Sequence, residues 1–84
     1  MQLIFSEQAW EDYLFLQSSD AKFLARLNGL IRECSRTPFS GTGKPEPLRG
    51  PLACWWSRRL TQEHRLVYRV SGDSLQIAQC RYQY

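Results

Sequence analysis

Between Phe39 and Pro51 the chain carries Gly41, Gly43, Pro45, Pro47, Gly50 and Pro51, six glycines and prolines in thirteen residues. Proline fixes φ and removes a backbone donor, and glycine loses the most entropy when ordered, so neither a helix nor a strand is expected to run through such a stretch. The segment cuts the chain in two. Each side must then find its regular structure from its own pattern.

On the amino-terminal side, Met1–Phe5 reads as a short strand, and Ser6 caps a following helix whose first turn holds Glu7. Trp10, Tyr13, Leu14 and Gln17 share one helical stripe, widened by Phe15 and Leu16, and these apolar residues are expected in the core. Ser18-Ser19-Asp20 breaks the helix and supplies the next cap. From Ala21 to Arg36 a second helix is written in Phe23, Leu24, Leu27, Leu30, Ile31 and Cys34, and Thr37-Pro38 stops it.

On the carboxyl-terminal side the period changes to two. Ala53–Leu60 and Arg65–Val70 read as strands joined by a polar turn at Thr61–His64. Leu66, Tyr68 and Val70 fall on one face of the second strand, and Arg65, Val67 and Arg69 on the other. If the turn closes Leu60 against His64, Arg59 lies opposite Arg65. Two guanidiniums so placed repel each other, and an anion between them relieves the repulsion. A turn at Ser71-Gly72-Asp73 leads to a last strand, Leu75–Tyr82, with Ala78, Cys80 and Tyr82 on one face and Gln79, Arg81 and Gln83 on the other.

The order strand, helix, helix, three strands defines a single α+β domain over residues 1–84: a mostly antiparallel sheet of four or five strands with both helices on one face. A helical hairpin returns the chain to the end of the sheet it left, so the first strand is expected antiparallel to strand 53–60. The other face is left to Arg59, Arg65, Arg81 and the Pro-rich loop. A length of 84 residues allows one modest core, and a hydrophobic share of 43% is enough to build it without staples. Three cysteines, Cys34, Cys54 and Cys80, have no paired spacing and are expected as reduced core residues in a cytoplasmic protein. No targeting segment or membrane span is apparent.

The net charge of +3 suits an anionic partner. A single His and no metal-ligand spacing argue against zinc, and Gly41-Thr42-Gly43-Lys44 lacks the spacing of a nucleotide-binding loop. What the residues offer is one carboxylate, Glu46, bracketed by Lys44 and Arg49 and facing a sheet rich in arginine. That set fits phosphodiester cleavage, in which a carboxylate takes the proton from a ribose 2′-hydroxyl and arginines hold the charge growing on the phosphoryl oxygens. Trp55, Tyr82 and Tyr84 suit stacking on an unpaired base. On residues alone, a nuclease and an anion-binding module stand level.

The opening Leu-Ile-Phe-Ser-Glu-Gln-Ala-Trp-Glu-Asp-Tyr-Leu, the loop Gly-Lys-Pro-Glu-Pro-Leu-Arg-Gly, and the motifs Trp-Ser-Arg-Arg, Glu-His-Arg-Leu-Val-Tyr and Cys-Arg-Tyr-Gln-Tyr together resemble the YoeB toxins. These are small bacterial toxins of the RelE/ParE superfamily, and the resemblance runs the whole chain in order. It implies a microbial-ribonuclease-like fold, a toxin of a type II toxin–antitoxin system, and cleavage of mRNA in the ribosomal A site without a cofactor. It also implies neutralisation by a YefM-type antitoxin, contact with operator DNA only through that complex, and a homodimer as a further assembly. By position, Glu46 is similar to the family's general base, Arg65 to the arginine that steadies the transition-state phosphate, and Arg59 to a second phosphate-binding arginine. Arg49 stands where the family usually has lysine, and Tyr84 matches the terminal tyrosine of the site; Lys44, Trp55 and Arg81 complete the substrate-binding set.

The departure is Gln83, where the family has the histidine that acts as general acid. An amide cannot give up a proton near neutral pH, so weakened cleavage is expected. His64 sits in the turn and belongs to the family motif already, and if the strand runs through it, alternation turns it away from Arg65. The alternative is a non-enzymatic relative, a ParE-like gyrase poison or a module that holds antitoxin and nucleic acid.

Overall fold

The computed structural model describes residues 1–82. Strand β1 (Gln2–Phe5) is followed by helices α1 (Glu7–Ser19) and α2 (Ala21–Arg36), a two-residue strand β2 (Glu46–Pro47), a 3₁₀ turn at Gly50–Leu52, and strands β3 (Trp56–Arg59), β4 (Arg65–Ser71) and β5 (Ser74–Gln79). The five strands form one sheet in the order β1-β5-β4-β3-β2. All neighbours are antiparallel except β1 and β5, which run parallel. Among the described residues no helix is long and apolar enough to cross a membrane.

The pairing corrects one sequence expectation and explains why it failed. Chaining the pairs from β1 through β5 and β4 to β3 makes β3 run in the same direction as β1, not against it. The Gly/Pro segment hides β2, which does run opposite to β1, and the turn at Gly50–Leu52 then reverses the chain once more. A two-residue strand carrying Pro47 sits at a sheet edge, where proline is tolerated because one side needs no donor.

Both helices cover one face. Ser6 caps α1 by accepting from the Ala9 N–H at 3.0 Å, and its hydroxyl donates to the Ala78 carbonyl at 2.7 Å, fastening the helix start to β5. Asp20 ends α1 through its N–H to the Leu16 carbonyl and caps α2 by accepting from the Phe23 N–H. The α2 stripe buries Leu27, Leu30, Ile31 and Cys34 against Leu66, Tyr68, Leu75 and Ile77 of the sheet. Helix α1 is rotated from the expected face. Ala9, Asp12 and Leu16 are buried, whereas Trp10, Leu14 and Phe15 are 42–50% exposed. The cause is Asp12, whose carboxylate accepts from Gln8 Nε2 at 2.8 Å and from the buried Cys80 N–H at 3.3 Å, so a polar side chain sits on the inward face.

Two further expectations shift in the last half. Strand β5 stops at Gln79, and Val67 pairs with Gln79 while Tyr68 pairs with Ile77, so Ala78 is an extra residue opposite none. The bulge changes the phase, so Cys80 shares the core face with Leu75 and Ile77, not with Ala78 and Tyr82. Strand β3 is shorter than Ala53–Leu60 because the turn extends to Cys54, which has φ 78° and is exposed rather than buried. Burial pushes the Cys34 thiol up to about 11 and the Cys80 thiol up to about 12.

Candidate functional site

The uncovered sheet face is organised in rows set by the register. In the first row Arg59 lies directly opposite Arg65, as the hairpin closure at Leu60 N–H to His64 carbonyl (3.0 Å) requires. In the second, Glu46 pairs with Ser57, Ser57 with Val67, and Val67 with Gln79. A third row begins beyond Trp56–Tyr68, where Trp55 comes to face Arg69 and Arg69 pairs with Gln76. Period-two alternation puts these side chains on the side away from the helices.

Glu46 and Arg65 meet across the first two rows. Arg65 Nη2 lies 2.6 Å from Glu46 Oε1, and the same guanidinium donates from Nε (3.1 Å) and Nη2 (2.9 Å) to Ser57 Oγ. Ser57 is fully buried and fixed in β3, so it acts as a peg that holds the arginine flat against the sheet. The carboxylate is the open partner: its side chain is 55% exposed against 14% for Arg65. Arg59 is exposed on the same row, and its backbone N–H donates to the Gly43 carbonyl at 2.8 Å. That bond ties the Gly/Pro segment to β3 just before Glu46. Gly43 has φ 84°, and a Cβ there would lie 2.9 Å from the Arg59 carbonyl oxygen, so only glycine allows the approach.

The other sequence candidates divide. Lys44, at φ 51°, and Arg49, which caps the 3₁₀ turn, are both exposed; Arg49 lines a shallow cleft of about 540 Å³ with Glu46, Pro47 and Leu48. Trp55 lies beneath the Arg69 guanidinium, 4.6 Å from its ring centroid. Arg81 leaves the group. Its guanidinium sits 3.5 Å from the centre of the Phe15 ring of α1 and donates to Tyr82 Oη at 2.8 Å, on the helix side, because the chain turns along α1 after the bulge. Gln83 and Tyr84 lie outside the described residues.

Sequence reasoning missed three participants. Ser57 gives no signal, since a serine in a strand is ordinary. Arg58 was passed over between its neighbours although it is fully buried. His64 serves the carboxyl-terminal segment: its Nδ1 accepts the Tyr82 N–H at 2.6 Å, its ring packs on Phe23, and the Tyr82 carbonyl accepts from the Arg65 N–H at 3.0 Å. His64 and Tyr82 stand eighteen residues apart in sequence, beyond any local pattern.

Two helices on one face of a five-stranded sheet, and an ion-paired carboxylate beside arginines on the other, define a small α+β domain with a charged open face. The match to known proteins is specific. Residues 5–84 match the model of the YoeB-like toxin of bacterial type II toxin–antitoxin systems, and the chain belongs to that family. It is 56% identical to Toxin YoeB of Escherichia coli K12 over the full length of both. The fold superposes on the YoeB/ParE toxin from Agrobacterium tumefaciens with a TM-score of 0.97 at 52% identity, covering all of both chains. YoeB of Staphylococcus aureus, solved as a dimer and as a YoeB–YefM complex, gives TM-scores of 0.93 and 0.92 at 41% and 40% identity over the whole chain and 98% of each neighbour.

Proposed function

We propose that this chain is an endoribonuclease that cleaves mRNA in the ribosomal A site by general acid/base chemistry. The observation that carries the reading is the Glu46–Arg65 contact at 2.6 Å, on an open face and anchored by buried Ser57. Glu46 removes the proton from the ribose 2′-hydroxyl, and the resulting oxyanion attacks the adjacent phosphorus. The P–O5′ bond breaks as the new bond forms, leaving a cyclic phosphate and an alkoxide that must gain a proton. Arg65 and Arg59, paired across β3 and β4, hold the charge that builds on the non-bridging oxygens. Incoming phosphate also relieves the repulsion between them and competes with Glu46 for Arg65, which frees the carboxylate to act as base.

The proton for the leaving oxygen is the weak point. Gln83 hydrogen-bonds but does not donate a proton to an alkoxide, which forfeits about 10²–10⁴ in rate, or roughly 3–5 kcal/mol of barrier. The chain therefore binds programmed ribosomes and cleaves poorly. A YefM-type antitoxin is the expected inhibitor, as the S. aureus relative is found with YefM; an acidic segment that folds onto the basic face would cover Arg59 and Arg65. The gyrase-poison alternative gives no role to a carboxylate bound to the central arginine.

The test is single-turnover cleavage of a defined mRNA on translating ribosomes, with 5′ ends mapped. Gln83→His should raise the rate by about 10²–10⁴, and Glu46→Ala in that background should remove the gain while ribosome binding persists. An unchanged rate in Gln83→His, or an unaffected one in Glu46→Ala, would overturn the assignment.

A further inference from the structure

The third row of the open face is not accounted for by phosphate chemistry at Glu46 and Arg65. Arg69 lies on β4 four residues beyond Arg65, roughly 13 Å along the strand at 3.3 Å per residue, with buried Val67 between them. Its guanidinium carbon sits 4.6 Å from the Trp55 ring centroid, and its Nε donates to Gln76 Oε1 at 2.6 Å. Trp55 backs the guanidinium from the residue just before β3, and Gln76 fixes its edge from β5. All three side chains are half-buried.

We infer that Arg69, backed by Trp55 and held by Gln76, forms a platform for one unpaired base of the RNA, on a nucleotide beyond the cleavage point. The inference rests on the endoribonuclease reading. A guanidinium used only as a charge needs no indole beneath it; backed by an indole and bonded at one edge, it suits a planar ligand. Bases of single-stranded RNA stack on such planes. An acidic peptide would meet the same arginine end-on and gain nothing from the indole behind it. The row also lies on the strand that carries Arg65, so RNA bound at Arg65 and running along β4 reaches it without leaving the sheet.

The test uses the purified chain and short fluorescent RNAs, 2′-O-methylated throughout to prevent cleavage, each with one abasic position moved stepwise along the strand. Binding is followed by anisotropy over a range of salt. One abasic position should weaken binding by about 5-fold or more, the lower end for loss of a stacked base. Arg69→Lys keeps the charge and loses the plane. It should bind the intact RNA as weakly as the parent binds that abasic RNA, become indifferent to the abasic position, and keep the parent's salt slope. Trp55→Ala should act in the same direction. If Arg69→Lys binds every RNA as the parent does while Arg65→Met abolishes binding, the platform is wrong and the nuclease reading stands. If the parent binds no RNA and programmed ribosomes are not cleaved even by Gln83→His, both fall. If Arg69→Lys weakens only the complex with a YefM-type antitoxin, the row is a protein contact and the inference is overturned.

Discussion

Arg58 and Arg65 come from the two strands of one hairpin and end in opposite circumstances. Arg58 points into the helix side and is fully buried. Its five N–H donors meet Tyr68 Oη (3.1 Å), Glu33 Oε2 (3.2 Å) and the carbonyls of Thr42 (3.2 Å), Ser40 (2.9 Å) and Thr37. Tyr68 passes the chain on by donating to the Pro38 carbonyl at 2.5 Å. Arg58 thus gathers the end of α2 and the start of the Gly/Pro segment into one fixed piece. Arg65 faces the other way, shares an exposed carboxylate, and stands opposite another cation. One arginine is consumed by the chain's own carbonyls. The other is shared between buried Ser57 and a carboxylate that stays open to solvent.

Breaking the comparison at its buried end has the largest effect. Arg58→Ala leaves Glu33, Tyr68 and the backbone carbonyls without their donor, and removing one partner of a buried pair costs about 3–5 kcal/mol. Arg65→Met, which leaves Ser57 Oγ and the solvent-open Glu46 carboxylate without their donor, should cost less stability than Arg58→Ala while abolishing cleavage in the Gln83→His background. Urea unfolding of both variants reads the contrast. Equal midpoints would mean that the two arginines do the same work.

The next effect is smaller and depends on pH. Cys34 and Cys80 lie on the buried side, and desolvation holds their thiols protonated to about 11 and about 12, against an ordinary value of 9.0. Burial likewise lifts the Tyr68 phenol to about 12. In the unfolded chain the thiols ionise from about pH 9, so between there and about pH 11 the unfolded state binds fewer protons and stability falls as pH rises. Each thiol should contribute a loss of about 1.4 kcal/mol by pH 10, with none below pH 8. Cys80→Ser should flatten the decline by one thiol's share, whatever its cost at neutral pH. A thiol reagent at pH 8 should label exposed Cys54 in the native protein and all three cysteines after unfolding; rapid labelling of Cys34 or Cys80 in the native state would contradict their burial.

What the sequence disclosed follows the range of the forces involved. The hairpin register, with Arg59 against Arg65, was legible because a four-residue turn fixes it locally. The α2 stripe was legible because one face of sixteen residues repeats its pattern. Arg58 was not, since its partners run from Glu33 to Tyr68 and only the closed fold assembles them. The face of α1 was misread because Asp12 earns its inward position from the Cys80 N–H, sixty-eight residues away. Strand β2 escaped notice because two residues carry no period. For the site, grouping Glu46 with Arg65 and Arg59 needed only the idea of an uncovered sheet face, whereas the loss of Arg81 to Phe15 depended on the Ala78 bulge that turns the last residues toward α1.

The smallest effect sharpens the comparison most, because it has the opposite sign to the largest. Arg59 and Arg65 are directly opposed in the sheet, and like charges so placed are destabilising by about 0.2–1 kcal/mol. Arg59 is exposed, so little packing is lost when its charge goes. Arg59→Gln should therefore leave stability unchanged or raise it by up to about 0.5 kcal/mol at low salt, and the difference should vanish near 1 M salt, where the Debye length is about 3 Å. The same variant should bind single-stranded RNA more weakly, with a salt slope shallower by about 0.7 for one lost phosphate contact. A gain in stability coupled to a loss in RNA binding is what a charge retained for a ligand produces. If Arg59→Gln instead destabilises the fold by more than about 1 kcal/mol, more than an exposed charge usually contributes, Arg59 belongs with Arg58 among the arginines that hold the chain together, and the open face loses its second phosphate anchor.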